Sequence, residues 1–207
     1  MIDVRIMAHP SRKNNVDKIL KKLGLPEDIV VWDDRLSGGD AWYTARKAWA
    51  LPINKECTHR LVLQDDIDIC DDFITHATAI ADQHKTHAVT LINFKNPGNY
   101  PNKRNTPYYS TSMMSGQAIM LPRDVIKPCI EWCDIPKNAR FGLHDDLLIS
   151  DYCSQNKILM VCTVPSIVQH LNGESLLPVD YSWERVSKNY EKKPKADWSN
   201  NSVQRIK

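Results

Sequence analysis

The chain has 207 residues, of which 42% are hydrophobic and 25% charged, with a formal net charge of +2. That length fits one domain able to bury a proper core, and the charge is too small to suggest a nucleic-acid partner. No apolar run reaches the length of a membrane span and MIDVRIMAHPSR lacks a signal-peptide core, so a cytoplasmic protein is expected.

Val4 to Ala8 predicts a short buried strand, broken by His9, Pro10, Ser11 and Arg12. Val16, Ile19, Leu20 and Leu23 recur at helical spacing over 15–23, and Gly24 with Pro26 stops that helix. Ile29 to Trp32 is a second strand and runs into Asp33, Asp34 and Arg35. Ser37-Gly38-Gly39-Asp40 reads as a turn, with a helix from Ala41 to Leu51 after it. The third strand, Arg60 to Gln64, ends abruptly in Asp65, Asp66, Ile67 and Asp68. A helix over 73–84 and a strand over 88–93 follow.

Residues 96–111 break this rhythm. They are rich in Pro, Asn, Lys and Tyr, and long enough to form a functional loop. Strand returns at 117–121, helix at 123–133 and 147–153, and a last strand at 158–164. From 184 onward the chain is polar and lysine-rich, either a strap over the site or a loosely held tail. The six cysteines form no CxxC pair and read as buried thiols of a reducing compartment.

Strands separated by helices predict an α/β domain, its central sheet mostly parallel with helices on both faces. Ligands of such sheets sit beyond the carboxyl ends of the strands. That rule gathers His9 to Arg12, Asp33 and Asp34, and Asp65 to Asp68. Clustered carboxylates at the end of a buried strand repel one another and resist desolvation unless a cation neutralises them. A divalent metal holding a phosphorylated ligand would do so; the alternative is an acidic turn with Asp71 or Asp72 capping the next helix. No G-x-G-x-x-G or G-x-x-x-x-G-K-[ST] is present, so a pyrophosphate here needs a metal and basic side chains. Carboxylates suit Mg²⁺ or Mn²⁺. Asp33 or Asp34 can accept hydrogen bonds from a base or ribose and Arg12 can lie against the base, although each alone reads as a surface charge.

The strand-and-acid block resembles the metal motif of GT-A glycosyltransferases, particularly the N-acetylglucosaminyltransferase I type. That motif runs apolar strand, E-D-D, an apolar and an acidic residue, then D-F. Here it is matched by Gln64-Asp65-Asp66-Ile67-Asp68 and Asp72-Phe73. Ala45-Arg46 and Trp49-Ala50-Leu51 are similar to that family's A-R…W-A-L segment. Aligned as E-D-D, the resemblance makes Asp66 the metal ligand, with Asp65 and Gln64 near the sugar or ribose. Aligned as D-x-D, it makes Asp66 and Asp68 flank the metal. Gln64 departs from the family's Glu.

Phe141-Gly142-Leu143-His144-Asp145-Asp146-Leu147 resembles the block where these enzymes carry an acidic pair. In inverting members one of the pair is the base that takes the acceptor proton. Asp145 or Asp146 could equally cap the helix that follows. Pro165-Ser166-Ile167-Val168-Gln169-His170-Leu171-Asn172-Gly173-Glu174-Ser175 looks like the P-S-x-x-Q-H-x-G-x-x-S segment. Its histidine, His170, would complete the metal shell. The resemblance also brings the region of Gly116 to the donor sugar and acceptor, where the glycine allows close approach of a ligand or simply serves the turn. Arg46 and Lys47 could neutralise the diphosphate or stand as solvated charges on an amphipathic helix.

It covers roughly residues 4 to 175. A small single domain with this lysine-rich end is also similar to glycosyltransferases of large DNA viruses, including chlorella-virus enzymes. The expected organisation is a GT-A (Rossmann-like) domain over 1–183, with a nucleotide half at 1–95, an acceptor half at 96–183, and a C-terminal strap or tail at 184–207. The expected chemistry is sugar transfer from a nucleotide-diphosphate donor, a UDP-sugar, to a glycan or glycoprotein hydroxyl, with Mn²⁺ or Mg²⁺. Tyr100, Tyr108 and Tyr109 could stack on sugar faces or simply pack the loop down. The rivals are a metal-dependent phosphohydrolase and a non-catalytic nucleotide-sugar-binding module. A D-x-D-x-T phosphatase needs its acids after the first strand, where this chain has Ala8-His9-Pro10.

Overall fold

A computed structural model describes residues 1–35, 41–94, 107–139, 144–171 and 186–205. The expected turn at 37–40, most of the 96–111 loop with Tyr100, Phe141 to Leu143, and Asn172 to Ser175 lie outside these. The first half contains β1 (Ile2–Ala8), α1 (Lys13–Leu23), β2 (Val30–Trp32), α2 (Ala41–Ala50), β3 (His59–Gln64), β4 (Ile67–Ile69) and α3 (Phe73–Gln83). The second half contains β5 (Ala88–Thr90), β6 (Tyr108–Ser110), β7 (Ala118–Pro122), α4 (Arg123–Cys133), α5 (Asp145–Gln155), β8 (Met160–Thr163), β9 (Val168–His170) and β10 (Val203–Arg205).

Eight strands form one mixed, mostly parallel sheet in the order β10-β6-β8-β5-β7-β3-β1-β2. β1 pairs parallel with β2 and β3, β5 parallel with β8, and β7 lies antiparallel between β3 and β5. Alternation along β3 explains why helices cover both faces. Leu61 and Leu63 join a core with Val16 and Ile19 of α1 and Phe73 and Ala77 of α3. Val62 joins another with Trp42 and Trp49 of α2, Ile126 of α4 and Leu148 of α5. Burying each such side chain contributes about 1.5–3 kcal/mol. Gly24 ends α1 at φ +65°, where its N–H and that of Leu25 both reach the Leu20 carbonyl.

Several elements differ from the sequence reading or narrow it. Tyr108 to Ser110, read as loop, form β6, and Tyr108 and Tyr109 are buried. They pack inside the fold, and the Tyr108 hydroxyl donates to the Trp198 carbonyl at 2.9 Å. The polar C-terminal segment is a strap built into the sheet: β10 pairs with β6, Trp198 is buried, and Tyr190 bridges to Ser166. Ile67-Asp68-Ile69 is a strand, paired antiparallel with β9 in a separate two-stranded sheet, so the acidic run is a sharp crossing between sheets. Helix α5 starts at Asp145, with both aspartates in its first turn and His144 at the cap position. Asp72 does sit at the N-cap of α3, but with left-handed backbone (φ +52°) and no side-chain cap bond.

Candidate functional site

The end of β3 brings the acids together with the turn after β1. Asp65 accepts from the His9 backbone N–H at 2.7 Å and from Arg12 Nη1 at 2.8 Å. Asn15 donates its amide to the carbonyls of Asp65 and Ile67. Burial pushes the Asp65 carboxyl up, against the pull of His9 and Arg12. Its carboxylate therefore ties β1 and α1 to β3. Arg12 also lies 2.9 Å from Asp66 Oδ2, so the chain itself supplies a cation to this cluster.

Asp66 faces β9. His170 Nε2 lies 3.2 Å from Asp66 Oδ2, and His170 is only 2% exposed. Burial resists the Asp66 charge, yet His170 and Arg12 outweigh it and hold the carboxyl below its ordinary range. Asp66 Oδ1 and His170 Nδ1 are buried without a hydrogen-bond partner. Buried polar atoms are rarely left so. Carboxylate oxygens beside an imidazole nitrogen, 3.2 Å apart at the nearest, are a donor set that a Mn²⁺-class ion accepts, because such ions take mixed oxygen and nitrogen ligands. Among the described residues no group of three or more His, Cys, Asp or Glu is placed to hold a metal. Asp66 and His170 could hold such an ion only if oxygens from substrate or water completed its shell.

Asp68 has partners of its own. Lys22 pairs with it, and the Tyr190 hydroxyl approaches it at 3.5 Å. Asp33 is gripped by Arg35 at 2.7 Å, which holds its carboxyl well below the usual range. Asp34 takes the Lys47 ammonium at 2.8 Å and the Tyr43 hydroxyl at 3.0 Å. Arg46 is held by Asp134 at 2.7 Å, against α4. Of the residues singled out in the sequence, the structure groups His9, Arg12, Asp65, Asp66 and His170; Asp33, Asp34, Arg46 and Asp68 have partners of their own.

A second group comes from the start of α5. Asp145 is buried, and its carboxyl is pushed well up by burial, by Asp146 beside it and by the charge of Asp66. Burial also raises Asp146, against the backbone N–H groups of Leu147 and Gly116. Gly116 explains the close fit here. A Cβ on it would lie 2.9 Å from Gln64 Nε2 and 3.2 Å from Asp145 Oδ1, so any larger residue would crowd both side chains. Gln64, noted in the sequence only as a departure from a motif, therefore borders the Asp145 carboxylate. No pattern in the sequence reveals that contact, because it joins three distant segments.

No protein-family model matches the sequence, and no curated protein sequence matches it. Several solved structures are similar to the chain at low identity. One, from Bacillus anthracis and described as a glucose-1-phosphate thymidylyltransferase in complex with sucrose, has TM-score 0.46 and 8% identity, over 82% of this chain and 89% of that one. A glycosyltransferase involved in glycosylation of the major capsid of PBCV-1 has TM-score 0.41 and 11% identity, over 84% of this chain and 95% of that one. A Drosophila β-1,4-galactosyltransferase 7 complex with manganese, UDP-Gal and xylobiose has TM-score 0.44 and 7% identity, over 96% of this chain and 84% of that one. Among the described residues no helix is long and apolar enough to cross a membrane.

Proposed function

We propose that this chain is a glycosyltransferase of the GT-A kind, resembling the N-acetylglucosaminyltransferase I type, that moves a sugar from a UDP-sugar to an acceptor hydroxyl. The observation that supports the reading is the buried pairing of Asp66 with His170 at 3.2 Å, with Asp66 Oδ1 and His170 Nδ1 left without a hydrogen-bond partner, within electrostatic reach of the buried Asp145. Asp66 and His170 would hold Mn²⁺ or Mg²⁺, whose contribution when bound is to neutralise charge on the leaving nucleotide diphosphate. Arg12, fixed by Asp65, adds a positive charge to the same end of the sheet. Asp145, in its ionised form, takes the proton of the attacking hydroxyl, and the burial that raises its proton affinity makes that carboxylate the stronger base. Asp146, tied by Leu147 and Gly116, holds the turn that presents it. Asp68 and Arg46 stand outside this proposal because Lys22 and Asp134 engage them.

Calorimetry of UDP with and without Mn²⁺ tests the donor site. The ion should raise UDP affinity by about tenfold or more, equivalent to about 1.4 kcal/mol. Asp66→Asn should abolish that gain, and UDP release from a panel of UDP-sugars should follow in the wild-type chain. Equal UDP binding with and without the ion, unchanged in Asp66→Asn, defeats the metal assignment. It would instead support a metal-independent site using Arg12, a second reading favoured by the 2.9 Å contact of Arg12 with Asp66.

A further inference from the structure

The turn after β1 sets one positive charge against the two carboxylates at the end of β3. Arg12 Nη1 lies 2.8 Å from Asp65 Oδ1 and 2.9 Å from Asp66 Oδ2. The same Asp66 Oδ2 is 3.2 Å from His170 Nε2, so guanidinium and imidazole meet on one oxygen. Asp65 fixes this arrangement: its second oxygen accepts the His9 backbone N–H at 2.7 Å, and its carbonyl accepts from the Asn15 amide. The Arg12 side chain is 19% exposed, so a ligand arriving from solvent can reach it.

A divalent ion taking Asp66 as ligand meets this guanidinium across a single carboxylate oxygen. Like charges that close repel strongly in a partly buried site. Deprotonation offers no relief, because an arginine stays charged throughout the pH range of a folded protein. Relief has to come from an anion, and the planar fork of a guanidinium matches phosphate oxygens as well as it matches carboxylates. We propose that Arg12 guards the ion position: it neutralises Asp65 and Asp66 in the free chain, opposes a divalent ion arriving alone, and ceases to oppose it once the oxygens of a nucleoside diphosphate take up its charge. The inference rests on the assignment of Asp66 and His170 as ion ligands. It goes further than that assignment, because it makes each of ion and diphosphate strengthen the binding of the other through Arg12. An Arg12 that only braced the turn would leave ion affinity untouched.

Mn²⁺ binding, read from the electron paramagnetic resonance of the free ion, tests this without any turnover. Arg12→Gln should bind Mn²⁺ alone more tightly than the wild-type chain, by about tenfold or more. The factor by which Mn²⁺ raises UDP affinity should be several-fold smaller in Arg12→Gln than in the wild type. Lys18→Gln removes the same charge from an exposed position on α1 and should leave Mn²⁺ affinity unchanged. Circular dichroism checks that each variant is folded. Should Arg12→Gln fail to fold, the Arg12 Nε–H resonance in heteronuclear spectra of the wild-type chain takes its place. It should shift with UDP and Mg²⁺ together and hold still with Mg²⁺ alone. Equal or weaker Mn²⁺ binding in Arg12→Gln, an equal gain in Lys18→Gln, or a resonance indifferent to UDP overturns the proposal. If Asp66→Asn still abolishes Mn²⁺ binding in that case, the ion site stands without its guard. Wild-type and Arg12→Gln chains that both ignore Mn²⁺, with and without UDP, overturn the ion site as well.

Discussion

Asp65 and Asp66 are chain neighbours with opposite fates, and the difference lies in what each carboxylate touches. Asp65 is saturated by His9 and Arg12 and serves the fold, whereas Asp66 keeps one oxygen buried and unpaired. The demand for a cation that the acidic run makes in the sequence is met in part by Arg12, from a turn more than fifty positions away. Gly116 is where the second half of the site can be probed without touching a charge. In Gly116→Ala the new Cβ would meet the Gln64 amide at 2.9 Å and Asp145 at 3.2 and 3.4 Å. The amide is the far end of a flexible side chain and can swing aside, but the buried Asp145 has less freedom and must shift by a few tenths of an ångström. Stability should fall by less than about 1 kcal/mol. Turnover should fall roughly tenfold to a hundredfold, because a misplaced base loses its alignment. Thermal melting alongside UDP release checks both halves. A variant with wild-type turnover would remove Asp145 from the reacting centre.

The elements that carry the site are held at their ends, and Arg60 shows how. It is fully buried at the start of β3, where it pairs with Asp3 and donates to the carbonyls of Ala48, Trp49, Leu51 and Pro52. These include carbonyls that the end of α2 would otherwise leave unsatisfied. Arg60→Met would leave Asp3 with Arg5 as its cationic partner and strand the buried carbonyl acceptors. Urea denaturation should show a loss of about 3–5 kcal/mol. Lysine cannot replace the fork, so Arg60→Lys should also destabilise. The sequence already carried most of the helices and the long central strands, since periodicity and stop residues such as Gly24 announce them. It also brought Asp66, Asp145 and His170 forward through their blocks. It hid β4, β6, β9 and β10, which are only three residues each and owe their strand form to partners far along the chain. The same long-range dependence hid the engagement of Asp68 by Lys22 and of Arg46 by Asp134, because a charge does not name its partner.

At the scale of the whole molecule, histidines at the other end of β3 set how the fold responds to acid. His59, at the start of that strand, reaches the His84 carbonyl at 3.1 Å, and the Nδ1 atoms of His84 and His87 lie 2.9 Å apart. One of those two nitrogens must donate while the other accepts, so the contact cannot survive with both rings charged. Burial lowers all three affinities for a proton; His87 and His59 lower His84 further, to about 4, and Asp82 slightly offsets the effect at His59. In the unfolded chain the same rings titrate near the ordinary value of 6.5. Between roughly pH 6.5 and 4 the unfolded state therefore binds more protons, and the histidine contribution to stability, complete above that window, is lost as pH falls through it. For His84 alone the loss approaches about 3 kcal/mol. Asp145 and Asp146 act in the opposite sense, because their raised affinities make the folded state the better proton acceptor as pH falls. The opposing effect of the carboxyls is reduced in an Asp145→Asn, Asp146→Asn background, where Asp65 still offsets the histidines in urea midpoints. Those midpoints should fall steadily from pH 7 to 4.5, and adding His84→Phe should flatten the fall. A flat profile in the first background would mean that the histidines gain protons in the fold as easily as out of it.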